Sequence, residues 1–293
     1  MSKKNTFILL LILGVAFWGI SFPVTKLSIG SFSQSTFLFY RFAVAALAIT
    51  FIFFKNLRSI SLSSVKAGVT LALPLAFGIH FQTLGLVKHT SASECSFIAG
   101  MSVVLVPLLK LVLYKTKIDL KTWLAGFVAL SGLFVISITK EITFSTANLY
   151  VLTGTLGFAF YLIKVEYLAR ERNIVSSLIP MFWTVAFIML VISLFDSTAN
   201  WFPVKNEFWL GIIYCGLFST AYVYSVSNIS QNYISAEKVA LIYLFEPVFA
   251  AIASFFIMNE GFSLRLVVGG SLILAATVLS EIKFRKIDLE YPE

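Results

Sequence analysis

Ten long apolar blocks, separated by short polar stretches, occupy almost all of this 293-residue chain. Each block of about 18–24 residues is long enough to cross a hydrocarbon core about 30 Å thick as a helix. A helix satisfies its own backbone hydrogen bonds, which the interior of a bilayer requires. We therefore predict an all-α membrane protein with ten transmembrane helices. They lie at approximately 6–27, 35–54, 66–87, 93–114, 121–138, 147–168, 177–196, 208–230, 236–258 and 264–283.

The composition is that of a polytopic membrane protein without a soluble domain. Hydrophobic residues make up 59% of the chain and charged residues 12%, with a mean hydropathy of +0.92, whereas soluble domains contain about 25% charged residues. The first block contains Ser21 and Lys26 and lacks a small-residue cleavage site. It is therefore predicted to be a retained helix rather than a signal peptide.

The basic residues indicate how the chain is oriented in the membrane. A net charge of +8 would suggest a nucleic-acid partner in a soluble protein, but here the distribution among the loops is more informative. With the N-terminus inside, 13 basic residues fall on the cytoplasmic side and 5 on the other. The outer five are Lys26, Lys88, Lys140, Lys205 and Arg265. We expect both termini in the cytoplasm, a bacterial inner membrane as the location, and no nucleic-acid partner.

A sequence repeat relates the two halves of the chain. The segment that starts at Ser91 aligns with the one that starts at Ser235 at an offset of 144 residues, with seven identities in 42 positions. Gly126 aligns with Gly270, and residues 14–18 lie over 157–161 at an offset of 143. Two five-helix repeats are predicted, residues 1–143 and 144–293. Because five is odd, the second repeat is inverted in the membrane relative to the first.

The charges of two equivalent loops agree with this inversion. The loop after the fourth helix contains Lys115, Lys117 and Lys121, whereas the loop after the ninth contains Asn259 and Glu260. Basic residues concentrate in cytoplasmic loops, so the two loops are expected to face opposite sides.

Several short motifs, in order along the chain, are similar to those of a known family. They are Phe17-Trp18-Gly19-Ile20-Ser21-Phe22-Pro23, Tyr40-Arg41-Phe42, Thr90-Ser91-Ala92-Ser93, and Phe245-Glu246-Pro247-Val248-Phe249 followed by Asn259-Glu260. Together they resemble the EamA-type branch of the drug/metabolite transporter superfamily over nearly the whole chain. The first copy departs from the pattern, because Val103 and Thr116 stand where the second has Pro247 and Glu260. The resemblance implies a secondary transporter with two EamA-like repeats that moves a small organic metabolite by alternating access.

Glu246 is predicted to lie near the membrane midplane, about ten residues into the ninth helix. Pro247 has no amide hydrogen, so it removes a backbone hydrogen bond and leaves a carbonyl near Tyr243 free. An acid beside such a break is either an ion or substrate point, or a residue with a structural or general transport role. The sequence leaves both interpretations open.

Arg41 and His80 are predicted at similar depths below the outer surface, in the second and third helices. Arg41 either binds an anionic group such as a carboxylate or pairs with helix carbonyls or with Glu246. His80 either takes part in proton coupling or is simply hydrogen-bonded, for example with Gln82.

Aromatic side chains are predicted to line a central chamber. Trp18 and Phe22 are four residues apart and share one face of the first helix, and Tyr161 occupies the position that matches Trp18 in the second copy. Tyr222 and Tyr243 would add hydroxyl groups to this apolar lining. Such a chamber suits an amphipathic metabolite; the alternative for each residue is ordinary helix packing or an interfacial belt.

Other charged or small residues have simpler predicted roles. Lys110 and Lys164, near the cytoplasmic helix ends, are expected to snorkel toward the membrane surface. Glu166 and Lys238 are expected to meet headgroups or solvent, and residues 91–94 are expected to cap the fourth helix. Glycines at six positions predict close helix packing, and the fifth and tenth helices are either packing or dimer surfaces. These glycines are Gly126, Gly132, Gly154, Gly157, Gly269 and Gly270.

Enzyme and channel classes lack their sequence motifs. The chain has no Walker-type phosphate loop, no His-Glu-x-x-His and no Gly-x-Ser-x-Gly motif, and Cys95 and Cys215 suggest neither a disulfide nor a metal site. We expect no cofactor. The predicted function is export of an amino acid, a related amphipathic compound or a drug, with protons as a possible coupling ion, by a monomer or homodimer. The alternatives are uptake or exchange of a metabolite such as a nucleoside derivative and, remotely, an intramembrane enzyme.

Overall fold

The computed structural model describes residues 3–30, 32–88, 95, 98–137, 145–171, 173–258 and 264–281, and every regular element in these ranges is helical. We number the helices α1 to α11 in chain order. They are α1 Lys3–Ile29, α2 Gln34–Ile52, α3 Leu62–Val87, α4 Ser102–Tyr114, α5 Leu120–Ser137, α6 Thr146–Glu171, α7 Val175–Leu194, α8 Asn206–Ser230, α9 Ala236–Tyr243, α10 Glu246–Met258 and α11 Leu264–Glu281. A short 3-10 helix, Phe54–Ser59, follows α2.

Six of these helices, α1, α2, α3, α6, α7 and α8, are long and apolar enough to cross a membrane. Shorter apolar helices occur at Ile98–Tyr114, Leu120–Val135 and Val267–Ala276. The described elements fall within or close to the ten predicted blocks. The predicted cap at 91–94 and the Asn259-Glu260 motif lie outside the described residues.

The ninth predicted block is interrupted in the structure. Helix α9 ends at Tyr243 and α10 begins at Glu246, with a turn at Leu244 and Phe245. The amides of these two residues donate to carbonyls only three residues earlier, Leu241 and Ile242. Pro247 follows and has no amide hydrogen to continue the ladder. The predicted local break beside Glu246 is confirmed.

The start of α4 corresponds to the start of α10. Ser102–Tyr114 and Glu246–Met258 start 144 residues apart, and a turn precedes each of them. The helical residues 98–100 and the turn at Met101 come just before α4, so α4 also follows a local interruption.

Helices α2 and α7 pack antiparallel. At one end of the α2–α7 pair, the Ser33 and Ser35 hydroxyls that flank the start of α2 donate to Asp196, just beyond α7. At the other end, Trp183 donates to Thr50 at 3.0 Å. We call the first end of the bundle the Asp196 end. The opposite end, where α4 and α6 end and α9 begins, is the Lys110 end, since Lys110 contacts Glu166 there.

Glycines allow the helix backbones to approach closely. A Cβ on Gly154 would lie 2.7 Å from the Gln82 amide nitrogen, and one on Gly157 would lie 2.8 Å from the Gly78 amide nitrogen. The α3–α6 contact therefore depends on glycine. In the same way, a Cβ on Gly132 in α5 would lie 2.5 Å from the Gly269 carbonyl of α11. The predicted close packing is confirmed at Gly132, Gly154 and Gly157, whereas a Cβ on Gly126 or Gly270 would find its nearest neighbour at the ordinary distances of 3.9 and 3.5 Å. Helix α5 packs mainly on α11.

Candidate functional site

Two small cavities near the middle of the bundle share a wall made by Trp18 and Gln82. The volume open to the centre of a water molecule is about 10 Å³ in the first and about 20 Å³ in the second, so both are tightly packed in this conformation. Lining the first are Trp18, Ser21, Phe22, Thr25, Arg41, Ile79, Gln82, Thr83 and Leu86. Lining the second are Trp18, Gln82, Ala99, Gly100, Ser102, Phe158, Leu162, Tyr243 and Glu246. We call them the Arg41 cavity and the Glu246 cavity, because each contains one ionisable side chain of opposite charge type.

Trp18 is held at this wall by a shell of aromatic rings. Its ring makes edge contacts with Phe158, Tyr224 and Tyr243 at centroid distances of 5.8, 5.7 and 5.0 Å. Edge-on contacts of this kind stabilise a ring position beyond what area burial provides. The next residue, Gly19, lets α1 approach the first turn of α10, because a Cβ there would lie 2.8 Å from the Glu246 carbonyl oxygen.

Arg41 is 2% exposed and is oriented by α8. Its Nε donates to Thr220 Oγ1 at 2.6 Å, and Nη2 donates to Ser219 Oγ at 3.2 Å and to the Ser219 carbonyl at 3.4 Å. Ser219 and Thr220 belong to a π-helical segment of α8, Leu217–Tyr222. Such segments disturb the regular backbone ladder and are frequent at functional sites. The predicted pairing with a helix carbonyl is confirmed.

Glu246 is 4% exposed, and its Oε1 has no hydrogen-bond partner among the described residues. The side chain lies against the Glu246 cavity together with Ser102, Gln82 and Tyr243. A buried carboxylate oxygen without a partner is costly in a medium that excludes water. The site is therefore suited to a proton or to a hydrogen-bond donor from a bound molecule.

Polar pairs surround the aromatic shell. Tyr161 donates to Asn228 Oδ1 at 2.5 Å, and Tyr243 donates to Ser227 Oγ at 2.7 Å. The Tyr224 hydroxyl is buried and lacks a partner in the described part of the chain. α8 thus provides hydrogen-bonding groups to the residues around Trp18.

The structure brings five of the eight predicted site residues to the two cavities. Trp18 lines both, Phe22 and Arg41 line the first, and Tyr243 and Glu246 line the second. Tyr161 lies one layer behind, with its ring edge-on to that of Tyr224 at 5.8 Å. Tyr222 lies elsewhere on α8 and donates to the Leu10 carbonyl at 3.2 Å.

His80, the remaining predicted residue, lines a wider vestibule at the Asp196 end. Gln34 donates to the His80 carbonyl at 3.5 Å, and Asp196 lies in the same vestibule. Partial burial tends to raise the pKa of Asp196, but hydrogen bonds from Ser33, Ser35 and Thr198 outweigh it and hold that pKa well below its usual range. The charge of Asp196 therefore ties the start of α2 to the end of α7.

A buried ion cluster lies at the Lys110 end, and sequence reasoning missed it. Lys110 Nζ is 2.9 Å from Glu166 Oε2 and 2.6 Å from Glu237 Oε1. Glu166 also accepts from Arg170 and, at 3.1 Å, from the Ala236 amide. We call the side chains of Lys110, Glu166, Arg170 and Glu237 the Lys110 cluster. Lys110 and Glu166 are 6% and 3% exposed, so the predictions that Lys110 snorkels and that Glu166 meets headgroups or solvent are wrong. Each finds opposite charge inside the bundle instead.

Gln82 and the serine–threonine pair at 219–220 were also missed as site residues. Gln82 was considered only as a partner of His80, although its side chain forms part of the wall between the cavities. A single amide in an apolar helix is the available signal. No comparable signal distinguishes Ser219 and Thr220 from the many other hydroxyl residues of the chain.

Comparisons with known proteins agree with this architecture. The model of the EamA-like transporter family matches residues 5–138 and again 145–281. An uncharacterized transporter of Archaeoglobus fulgidus is 25% identical over 91% of this chain and 82% of its own length. The uncharacterized transporter YyaM of Bacillus subtilis is 25% identical over 87% of both chains. One protein crystal structure, 15% identical, superposes with a TM-score of 0.77 over 94% of this chain and 97% of the other, which shows a shared fold.

Proposed function

Because the chain belongs to the EamA-like transporter family, we propose that it is a secondary transporter that moves a small organic metabolite by alternating access. The transported compound is an amino acid or a related amphipathic molecule, and the direction is export across a bacterial inner membrane. The main support is the wall of Trp18 and Gln82 that the two cavities share. Alternating access requires a central site that is separated from each side in turn.

The proposed architecture is ten membrane crossings in two inverted repeats, 1–143 and 144–293. Two observations support it: the starts of α4 and α10, which lie 144 residues apart, and the two successive matches to one family model. Helices α9 and α10 together make one crossing. With both termini in the cytoplasm, the Lys110 end is the cytoplasmic end and the Asp196 end faces outward.

The two cavities suit a molecule with an apolar body and polar groups. Aromatic and aliphatic walls contact the body, while a few polar side chains fix the orientation. Arg41 is positioned by Ser219 and Thr220 and faces the first cavity, where its guanidinium would attract a carboxylate. Glu246 would accept a donor group in the second cavity.

Glu246 is also the proposed site of proton coupling. When the cavity is closed and empty, a proton on Glu246 removes the cost of the buried unpartnered oxygen. When a cationic or donor group of the solute enters, it replaces the proton. Exchange of one for the other at a single carboxylate couples solute export to proton entry.

Reconstitution into liposomes tests this proposal. Efflux or uptake of a panel of amino acids, nucleoside derivatives and cationic drugs is measured with and without an imposed pH gradient. We expect flux of at least one amino acid that depends on the gradient, and at least tenfold slower flux in Glu246→Gln. Glu207→Gln removes an exposed acid at the start of α8 and is the matched control.

Each result bears on a separate part of the proposal. Wild-type flux that does not respond to the pH gradient would exclude proton coupling. Equal flux in Glu246→Gln and Glu207→Gln would remove Glu246 from the transport mechanism. No flux of any member of the panel would contradict the proposed substrate class.

A further inference from the structure

We propose that the Lys110 cluster is the gate that closes the transport path at the Lys110 end. The proposal rests on alternating-access transport, and it assigns a role to buried charges that lie outside both central cavities. Lys110 is its central member, because its ammonium group contacts carboxylates from two different helices, Glu166 of α6 and Glu237 of α9.

The position of the cluster fits a gate. The Glu246 cavity is lined by residues of α4, α6 and α9, among them Ser102, Leu162 and Tyr243. The cluster joins these same three helices closer to the Lys110 end. Glu166 is about one helical turn beyond Leu162, and Lys110 and Glu237 are about two turns from Ser102 and Tyr243 along their helices, so the ion pairs lie one to two turns from the cavity.

A crevice between α4, α5 and α9 lies beside the cluster. Its walls include Val103 of α4, Lys121 of α5 and Glu237 of α9. Glu237 thus lines the crevice and bonds to Lys110. Helices α4 and α9 line both the crevice and the Glu246 cavity, and the ion pair between Lys110 and Glu237 joins these two helices.

Two contacts at the cluster hold α9 against its neighbours. One is the ion pair between Lys110 and Glu237 at 2.6 Å. The other is the hydrogen bond from the Ala236 amide to Glu166 Oε2 at 3.1 Å. Both must break if the start of α9 moves away from α4 and α6. The Glu166–Arg170 contact lies within α6 and survives that movement.

Charged groups suit a contact that opens repeatedly. The positive charges of Lys110 and Arg170 balance the negative charges of Glu166 and Glu237. When it opens, water replaces the partners, so much of the lost ion-pair energy is recovered as hydration. An apolar seal would instead expose hydrophobic surface to water each time it opened. The ion pairs therefore hold the helices in one closed arrangement without making that arrangement too stable to open.

Thiol accessibility tests the gate independently of any substrate. The reporter is Ser102→Cys, which faces the Glu246 cavity, in a background where the native Cys95 and Cys215 are replaced by alanine. Vesicles expose the Lys110 end to a small, charged, membrane-impermeant methanethiosulfonate. We expect Lys110→Met to react at least about tenfold faster, because removing one partner of a buried ion pair strongly destabilises the closed arrangement.

Matched variants separate gating from general disruption. Lys117→Met removes an exposed lysine at the same end and should leave the reaction rate unchanged. Lys110→Arg should restore slow labelling, since arginine keeps the charge and the donors. Glu237→Gln keeps the shape of the side chain and should be labelled at a rate between those of the wild type and Lys110→Met. If Lys110→Met does not fold, the labelling rate of Glu237→Gln decides whether the cluster is a gate.

The outcomes distinguish this proposal from the transport proposal. Unchanged labelling in folded Glu237→Gln and Lys110→Met overturns the gate, as does equal acceleration by Lys117→Met, and solute flux of the wild type then still supports transport. Faster labelling in the Lys110 variant, with no flux of any tested solute, supports a closed gate but contradicts the proposed function.

Discussion

Replacing Gly19 by alanine tests whether α1 and α10 touch through their backbones beside Glu246. A Cβ at position 19 would lie 2.8 Å from the Glu246 carbonyl oxygen and 2.9 Å from the Ala250 amide nitrogen and from Phe249 Cβ. These distances are about 0.6–0.7 Å shorter than ordinary carbon contacts of roughly 3.5 Å. Backbone atoms of a packed helix cannot rotate away, so the helices must separate.

The magnitude follows from two opposing terms. Overpacking of a tight contact costs about 1–3 kcal/mol, while exchanging glycine for alanine in a helix gains roughly 1 kcal/mol. Gly126→Ala in α5 provides the second term alone, because the nearest atom to its Cβ would be the Val103 carbonyl oxygen at 3.9 Å. The helix-propensity gain is common to both variants, so their difference isolates the clash at about 1–3 kcal/mol.

Thermal unfolding of both variants in the same detergent micelles measures this difference. Gly19→Ala should unfold at a lower temperature than Gly126→Ala, and Gly126→Ala should be at least as stable as the wild type. Gly19→Ala should also slow solute flux, since α10 begins with Glu246. A Gly19→Ala protein as stable as Gly126→Ala would refute the close approach of α1 and α10.

Two further predictions concern single polar groups. Tyr161→Phe leaves Asn228 Oδ1 without its hydrogen bond and should lower the free energy of unfolding by about 1–3 kcal/mol. The hydroxyl of Tyr222 donates to a helix carbonyl, so Tyr222→Phe should lower it by less than about 1 kcal/mol. Equal losses in denaturant unfolding would contradict the hydrogen bond between Tyr161 and Asn228. Asp196 has a lowered pKa in the folded protein, so its stabilising effect is present above the ordinary aspartate value of about 3.9 and is lost as the pH falls toward the lowered value. The stability difference between wild type and Asp196→Asn should be constant above about pH 5 and should shrink below about pH 4; a difference that stays constant to pH 3 would argue against this contact.

The helices and one break could be predicted from the sequence because their causes are local. A run of apolar residues specifies a helix of membrane length, and Pro247 predicts the interruption between α9 and α10. The turn at Met101 has no proline beside it. The repeat would have been its only signal, since Met101 aligns with Phe245 of the second copy.

The candidate site was predictable only where single residues stand out. Arg41, Trp18 and Glu246 are unusual in their helices, and all three reach the cavities. The Lys110 cluster escaped prediction because its partners come from three helices, and the distance of Lys110 from the helix end is compatible with a headgroup. Whether a charge near a helix end faces lipid or protein depends on packing between distant segments, which residue spacing along one helix does not reveal.

The contact between α5 and α11 has a consequence for how the protein is made. Helix α5 packs mainly on α11, yet about 130 residues of chain separate Ser137 from Leu264. At a synthesis rate of about 5–20 residues per second, roughly 6–25 s pass before α11 follows α5 out of the ribosome. During that interval the face around Gly132 has only lipid or the insertion machinery as a neighbour. Assembly of the α5–α11 pair is therefore one of the last steps of biosynthesis, after most of the other helices have had time to pack.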